Sequence, residues 1–328
     1  MHGARLPLVL LVVFAATGCD GPQSALDPAG RAAERIAGIT LWMTIGFLAL
    51  WVGVVALALY APRVRELPEG GGGAFLVIAG GVVLPVTVLT LLLTFGLAEV
   101  PAMLAPAPDD RRPSITVEGR QWWWRVTYTV PGQEPIELAN ELHLPRGTRT
   151  NVRLQSPDVI HSFWVPSLAG KLDLIPGRLN RLALEPTRTG TFRGVCAEFC
   201  GESHARMNFL AVVHEPEDFD RWVADQAAPA RPAPDGPARQ GEAAFFARGC
   251  ANCHKVRGTM ARGTAGPDLT HVGSRRSLAA GTLPVSAESF GRWISGTELI
   301  KPGVHMPAFA DLPRDELAAM AAYLAHLQ

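Results

Sequence analysis

Between positions 196 and 207 the chain reads CAEFCGESHARM, which sets Cys196, Cys200, His204 and Met207 within twelve residues. Two thiolates, an imidazole and a thioether form a soft donor set that selects copper over hard cations, and a blue-copper site needs one Cys, two His and a weak axial Met. The extra thiolate allows both sulfurs to bridge two copper ions that share one electron. A second imidazole is still required, and His161 in SPDVIHSFWVPSLAGKLDLIPGR is the candidate. Zinc held by Cys196, Cys200, His204 and His161 is the alternative metal reading. A Cys196–Cys200 disulfide closes a very small loop and leaves His204 and Met207 unexplained. A second motif, CANCH at 250–254, has the CxxCH spacing of covalent haem c attachment: Cys250 and Cys253 become thioethers and His254 ligates iron. A redox or zinc CxxC is disfavoured by the adjacent His254 and the lack of a second pair. The sixth ligand must reach the opposite haem face, so Met260 is too near. Met306 in KPGVHMPAF is preferred over His305 and His271, and Met/His ligation raises the reduction potential, as suits a donor to copper.

Both clusters need scaffolds. From 113 to 221 the chain alternates short stretches rich in Val, Thr and aromatics (ITVEGRQWWWRVTYTV, TRTNVRLQS, NRLALEP, GTFRGVC, MNFLAVVH) with Pro/Gly punctuation, which predicts a small all-β sandwich or barrel. The sulfur cluster then lies on the loop between its last two strands. Strand alternation would put Trp122 and Trp124 on one face and Trp123 on the other; at least one of the three belongs to the ordinary core. His143 and His214 read as surface or strand residues without a role. Residues 223–238, VADQAAPARPAPDGPA, are Ala/Pro-rich and predict an extended, semi-rigid linker. Beyond it, RQGEAAFFARG leads into the haem motif, GPDL follows it, and DLPRDELAAMAAYLAHL carries Leu317, Met320, Ala321 and Leu324 at helical spacing, the pattern of a small all-α cytochrome c.

Upstream, the 328-residue chain is 48% hydrophobic and balances thirty basic against thirty acidic residues, so no global charge points to nucleic acid. Residues 1–19 have the layout of a signal peptide or lipoprotein signal, with Cys19 a possible lipidation point. Residues 38–60 and 74–98 are uncharged and long enough to span a bilayer. The intervening loop holds Arg63 and Arg65 and suits the cytoplasmic side, so everything after Glu99 lies outside. Trp42 and Tyr60 sit near the ends of the first span, where interfacial aromatics belong.

HSFWVPSLAGKLDLIPGR followed by CAEFCGESHARM, with the two-helix hairpin and QWWW, resembles subunit II of the haem-copper cytochrome c oxidases over roughly residues 30–222. The appended CxxCH domain resembles that of the caa-type bacterial enzymes. The resemblance implies a multidomain membrane protein: signal 1–19, two-helix transmembrane hairpin 30–108, cupredoxin domain 109–222 with a dinuclear CuA centre, linker 223–238 and class I cytochrome c domain 239–328. It implies that Cys196 and Cys200 bridge, that His161 and Met207 complete one copper, and that His204 with the Glu198 carbonyl completes the other. The Glu198 side chain would face a magnesium ion at the contact with subunit I, and Trp122 would be the port through which electrons arrive. The implied partners are subunit I, further membrane subunits, the lipid bilayer and an upstream donor, either a soluble cytochrome or a quinol-oxidising complex. The implied location is the bacterial plasma membrane, multi-pass, with copper and haem domains on the periplasmic side. Acids and bases nearly balance over 109–222, so the β domain lacks the acidic excess that steers a basic soluble donor. A nitric oxide reductase carrying the same subunit and a free-standing membrane-anchored electron carrier are the alternative functions.

Overall fold

The computed structural model describes residues 21, 23–63, 72–104 and 113–328. The expected signal segment, Cys19 included, lies outside them. The chain divides into two units, residues 34–105 and the remainder.

In the first unit, α1 (Arg31–Tyr60) is a single uninterrupted helix. The return helix runs as α2 (Gly72–Ile78), a π-helical turn (Ala79–Val83) and α3 (Leu84–Leu104). The π turn ends two residues before Pro85, whose ring would strike the carbonyl four residues back in a regular α-helix; the wider turn accommodates it, with the Leu84 amide bonded to the Ala79 carbonyl. The Arg35 guanidinium donates to the Glu99 carboxylate at 3.1 Å, joining the start of α1 to the end of α3. None of the apolar window in either helix is buried by protein, which sets these helices apart from the core helices of a soluble domain and leaves their apolar surface to a lipid-like environment.

The β domain is a sandwich of two five-stranded sheets, ordered β3-β2-β1-β5-β8 and β4-β10-β9-β6-β7. Its strands are β1 (Ser114–Arg120), β2 (Trp123–Thr129), β3 (Ile136–Ala139), β4 (Glu141–Pro145), β5 (Thr150–Gln155), β6 (His161–Trp164), β7 (Leu172–Leu174), β8 (Asn180–Leu184), β9 (Gly190–Cys196) and β10 (Asn208–His214). Inward and outward residues alternate strictly along β1 and in β2. The inward set, including Ile115, Trp124, Tyr128, Leu154, Phe163 and Phe209, is essentially solvent-free. The run ITVEGRQWWWRVTYTV is two strands rather than one: it folds back so that Arg120 pairs with Trp123. One strand of that length would span about 50 Å and overrun a small sandwich. Trp122 therefore sits in the turn, and strand alternation does not set its face. Trp124 is the core tryptophan, at 0% exposure.

The expected linker begins differently from its composition. Helix α4 (Pro216–Ala227) takes in its first five residues, because Phe219 and Trp222 dock on the sandwich. The extended stretch that follows is strapped to the third domain: the Ala230 amide bonds the Arg257 carbonyl, His271 meets the Ala228 carbonyl, and Ala233 is buried in that domain's core. The last domain is helical, with α5 (Pro237–Ala247), α6 (Ala287–Ser295), α7 (Thr297–Ile300) and α8 (Arg314–His326). Its core includes Phe245, Phe290, Ile294, Met320, Ala321 and Tyr323.

Candidate metal centre

The register of the second sheet brings the dispersed ligands together. Phe163 pairs with Cys196, so His161, two residues earlier on the same strand face, arrives beside the end of β9. The chain then leaves β9, turns through Cys200 and a 3₁₀ turn at His204–Arg206, and re-enters the sheet as β10 after Met207. The floor is Trp124, whose ring lies 6.2 Å from His161 and 5.2 Å from Phe209, and whose indole N–H donates to the Met207 carbonyl at 3.3 Å. Gly119 leaves room for the imidazole: a Cβ there would stand 2.9 Å from His161 Cδ2.

Within this pocket Cys196 Sγ and Cys200 Sγ are 3.8 Å apart and unbonded. His161 Nδ1 is 3.9 Å from Cys196 Sγ, His204 Nδ1 is 3.5 Å from Cys200 Sγ, and Met207 Sδ is 3.7 Å from Cys200 Sγ. The Glu198 carbonyl lies 3.2 Å from Cys196 Sγ. Donors roughly 2.3 Å from a shared tetrahedral ion stand about 3.8 Å apart, so the sulfur spacing fits metal bridging and is far longer than that of a disulfide, about 2.05 Å. The thioether makes the set soft, in keeping with copper. His161, Cys196 and Cys200 are also the group of metal-capable donors that converges among the described residues.

Electrostatics prepare the site for a cation. The hydrogen bond from Cys200 lowers the Cys196 pKa to about 4, against the opposing effect of burial, and the same bond pushes the Cys200 thiol upward. His161 Nε2 meets Asp158 Oδ1 at 2.8 Å, which holds the ring with Nδ1 toward the sulfurs. Burial works against protonation of His161, yet its bonds to Asp158 and Cys196 give a net upward shift. Burial likewise raises Asp158, but bonds from His161 and from the Gln121 and Val159 amides bring it down to about 2. Asp158 and Gln121, whose side-chain amide donates to the Cys200 carbonyl at 2.8 Å, were not among the residues singled out from sequence. The acid three residues before His161 in SPDVIH was the available signal.

Residues 114–214 match the family profile "Cytochrome C oxidase subunit II, periplasmic domain", and residues 238–328 match "Cytochrome c". The chain is 33% identical to cytochrome c oxidase subunit 2 of Alkalihalophilus pseudofirmus, over 98% of this chain and 96% of that one. It is 29% identical to the Bacillus subtilis protein of the same name, over 100% and 98%. The crystal structure of the periplasmic domain of subunit II of cytochrome oxidase from Bradyrhizobium japonicum aligns with 38% of this chain and 96% of its own, at 32% identity and a TM-score of 0.34.

The chain belongs to the cytochrome c oxidase subunit II family.

It is a subunit II of the caa type, with a cupredoxin-like domain and a fused cytochrome c domain, and it is part of an oxidase complex. The two domain types imply copper and haem c respectively, and membership of the family implies a partner subunit I. In the cytochrome domain His254 Nδ1 meets the Pro267 carbonyl at 2.8 Å, leaving Nε2 for iron. A Cβ on Gly266 would lie 2.6 Å from the His254 ring, so the GPDL segment closes directly over the imidazole. Cys250 and Cys253 are free thiols on a single 3₁₀ turn, and the donors therefore fit haem c. Met306 packs against the helical core and its carbonyl accepts from Thr297 Oγ1 at 2.9 Å. Of the other candidates, His271 bonds the Ala228 carbonyl, and His305, next to Met306, is exposed with its ring 6.3 Å from that of Trp122. Met260 is 83% exposed. His143 is not a surface residue. It is buried, bonded to Glu141 and to His214 at 2.8 Å, and stacked on Trp222 at 4.0 Å.

Proposed function

We propose that this subunit carries electrons from a haem bound at Cys250, Cys253, His254 and Met306 to a copper pair bound at His161, Cys196, Glu198, Cys200, His204 and Met207. The haem supplies a one-electron donor and the copper pair a one-electron acceptor, and no bond is made or broken between them. From the copper pair electrons pass to a haem of subunit I, where oxygen is reduced to water with proton pumping. The carrying observation is the position of Trp122. Its indole N–H donates to the Cys200 carbonyl at 3.0 Å, while its ring faces His305, the neighbour of Met306. Trp122 thus joins both metal-bearing loops and is the port for electrons. In the same sulfur loop, Phe199 is 76% exposed, with its ring 5.7 Å from that of His204. An exposed aromatic beside a metal donor favours a docking face for subunit I, where the Glu198 carboxylate would meet magnesium.

In this reading the signal spans 1–19, the hairpin 30–108 and the cytochrome c domain 239–328, while the cupredoxin domain, expected over 109–222, carries α4 as far as Ala227 and shortens the expected 223–238 linker. The hairpin crosses a bacterial plasma membrane twice, with both redox domains on the periplasmic side, where a soluble cytochrome or a quinol-oxidising complex supplies electrons. The test is metal and haem content with spectroscopy on the chain purified from its native membrane. Two copper ions and one haem per chain are expected, with the copper lost in Cys196→Ser and the covalent haem lost in Cys250→Ser/Cys253→Ser. A Cys196→Ser variant that keeps both copper ions would overturn the assignment.

A further inference from the structure

Lys301 is a lysine at 2% exposure whose ammonium donates to the backbone carbonyl of Trp122, across the seam between the cytochrome and cupredoxin domains. Buried lysines are rare because desolvating an ammonium is costly; here burial pulls the pKa down to about 7. The bond comes from the segment that leads to Met306 and ends on the residue whose indole holds the Cys200 carbonyl. Two further bonds flank it: Ser203 Oγ donates to the Pro302 carbonyl at 2.7 Å, and Arg206 Nη1 donates to the Ile300 carbonyl at 2.7 Å. At Gly303 an added Cβ would stand 2.8 Å from both the Trp122 ring and the Glu202 carboxylate, so the surfaces meet without a gap.

We infer that Lys301 is a positioning residue for electron transfer: it pins the Met306-bearing segment to the Trp122 carbonyl and fixes the separation of the two metal-bearing loops. The inference rests on the proposed function. An electrostatic steering lysine would meet a carboxylate at an exposed rim; this one is sealed inside the seam and meets a carbonyl, which fixes position instead. The remote ends of the seam are held by other bonds, from Arg125 to the Thr264 carbonyl and from the Arg276 amide to Glu141. Loss of Lys301 therefore loosens the electron path without releasing the domain.

The test compares the full chain with Lys301→Met, which keeps the stem and removes the donor. Hydrogen exchange on the purified subunit reads the seam directly, without turnover: the amides of Ile300, Lys301 and Gly303 and those of 201–206 are expected to exchange about tenfold faster in the variant. In the assembled oxidase, flash-initiated reduction of copper by haem c is expected to slow about tenfold and to become viscosity-dependent, since re-docking then gates the step. Haem and copper absorption should stay as in the parent. Parent-like exchange and a viscosity-independent, unslowed rate would overturn the inference. Absence of copper or haem bands in the parent would instead overturn the proposed function. If Lys301→Met fails to take up haem, Lys301→Gln, which keeps a polar end on a stem too short to reach the Trp122 carbonyl, decides by the same readout: faster exchange at Ile300, Lys301 and Gly303 supports the strut, and unchanged exchange overturns it.

Discussion

At the scale of single residues, the soft donors do little without the neighbours that aim them. Of the donor set, Asp158 meets His161, at its far nitrogen, and so fixes which nitrogen faces Cys196. Asp158→Asn is expected to weaken copper binding by about 10–100-fold, measured by titration against a competing chelator; an unchanged affinity would contradict this role. The pair His143 and His214 offers a second prediction. Burial depresses both pKa values, His214 to about 4, with further lowering of His214 by His143 and Arg276; Glu141 and Asp218 oppose, and Trp222 covers the rings. Below about 6.5 the unfolded chain takes up protons that the folded pair refuses. Stability should accordingly fall as pH drops from about 6.5 toward 4, read as a declining melting temperature of the cupredoxin domain. His143→Phe/His214→Phe should flatten that slope, and an unchanged slope would contradict the assignment.

At the scale of elements, the site is a consequence of strand register. The pairing of Phe163 with Cys196 delivers His161, and the β1 glycine at 119 lets the imidazole lie flat against the neighbouring sheet. Gly119→Ala forces a methyl group into that contact and is expected to cost about 1–3 kcal/mol of stability, by denaturant titration, together with weaker copper binding. Full stability with full copper occupancy would contradict the packing account. The sulfur loop, the haem motif and the strands with clear alternation were legible in the sequence because each is a local pattern. Strands β3, β4, β6 and β7 were not: they run three to five residues, too short for a pattern to mark them, and in β4 the polar Glu141 and His143 are buried along with Leu142 and Leu144. The fold-back at Gln121–Trp122 was hidden because three consecutive tryptophans suit either a strand or a turn. The start of the linker was misread because its alanines suit a helix once Phe219 and Trp222 anchor α4 on the sandwich. Lys301 carried no local signal at all, since its burial exists only where two domains meet.

At the scale of the whole molecule, the fusion places haem and copper domains against each other rather than on a free tether. The strap at 228–236 lies along the cytochrome domain, and the seam covers Trp122 to 6% exposure. On the proposed function, a soluble donor would find Trp122 covered and would deliver its electron to the haem domain. The central claim is that this chain conducts electrons into an oxygen-reducing complex through its copper loop. The direct measurement is ascorbate-driven gas consumption by the complex purified through a tag on this chain, in the parent and in Cys196→Ser. Cyanide-sensitive oxygen uptake in the parent, abolished in Cys196→Ser while haem c still reduces, is the expected result. Nitric oxide consumption without oxygen uptake, or oxygen uptake that survives loss of Cys196, would contradict it.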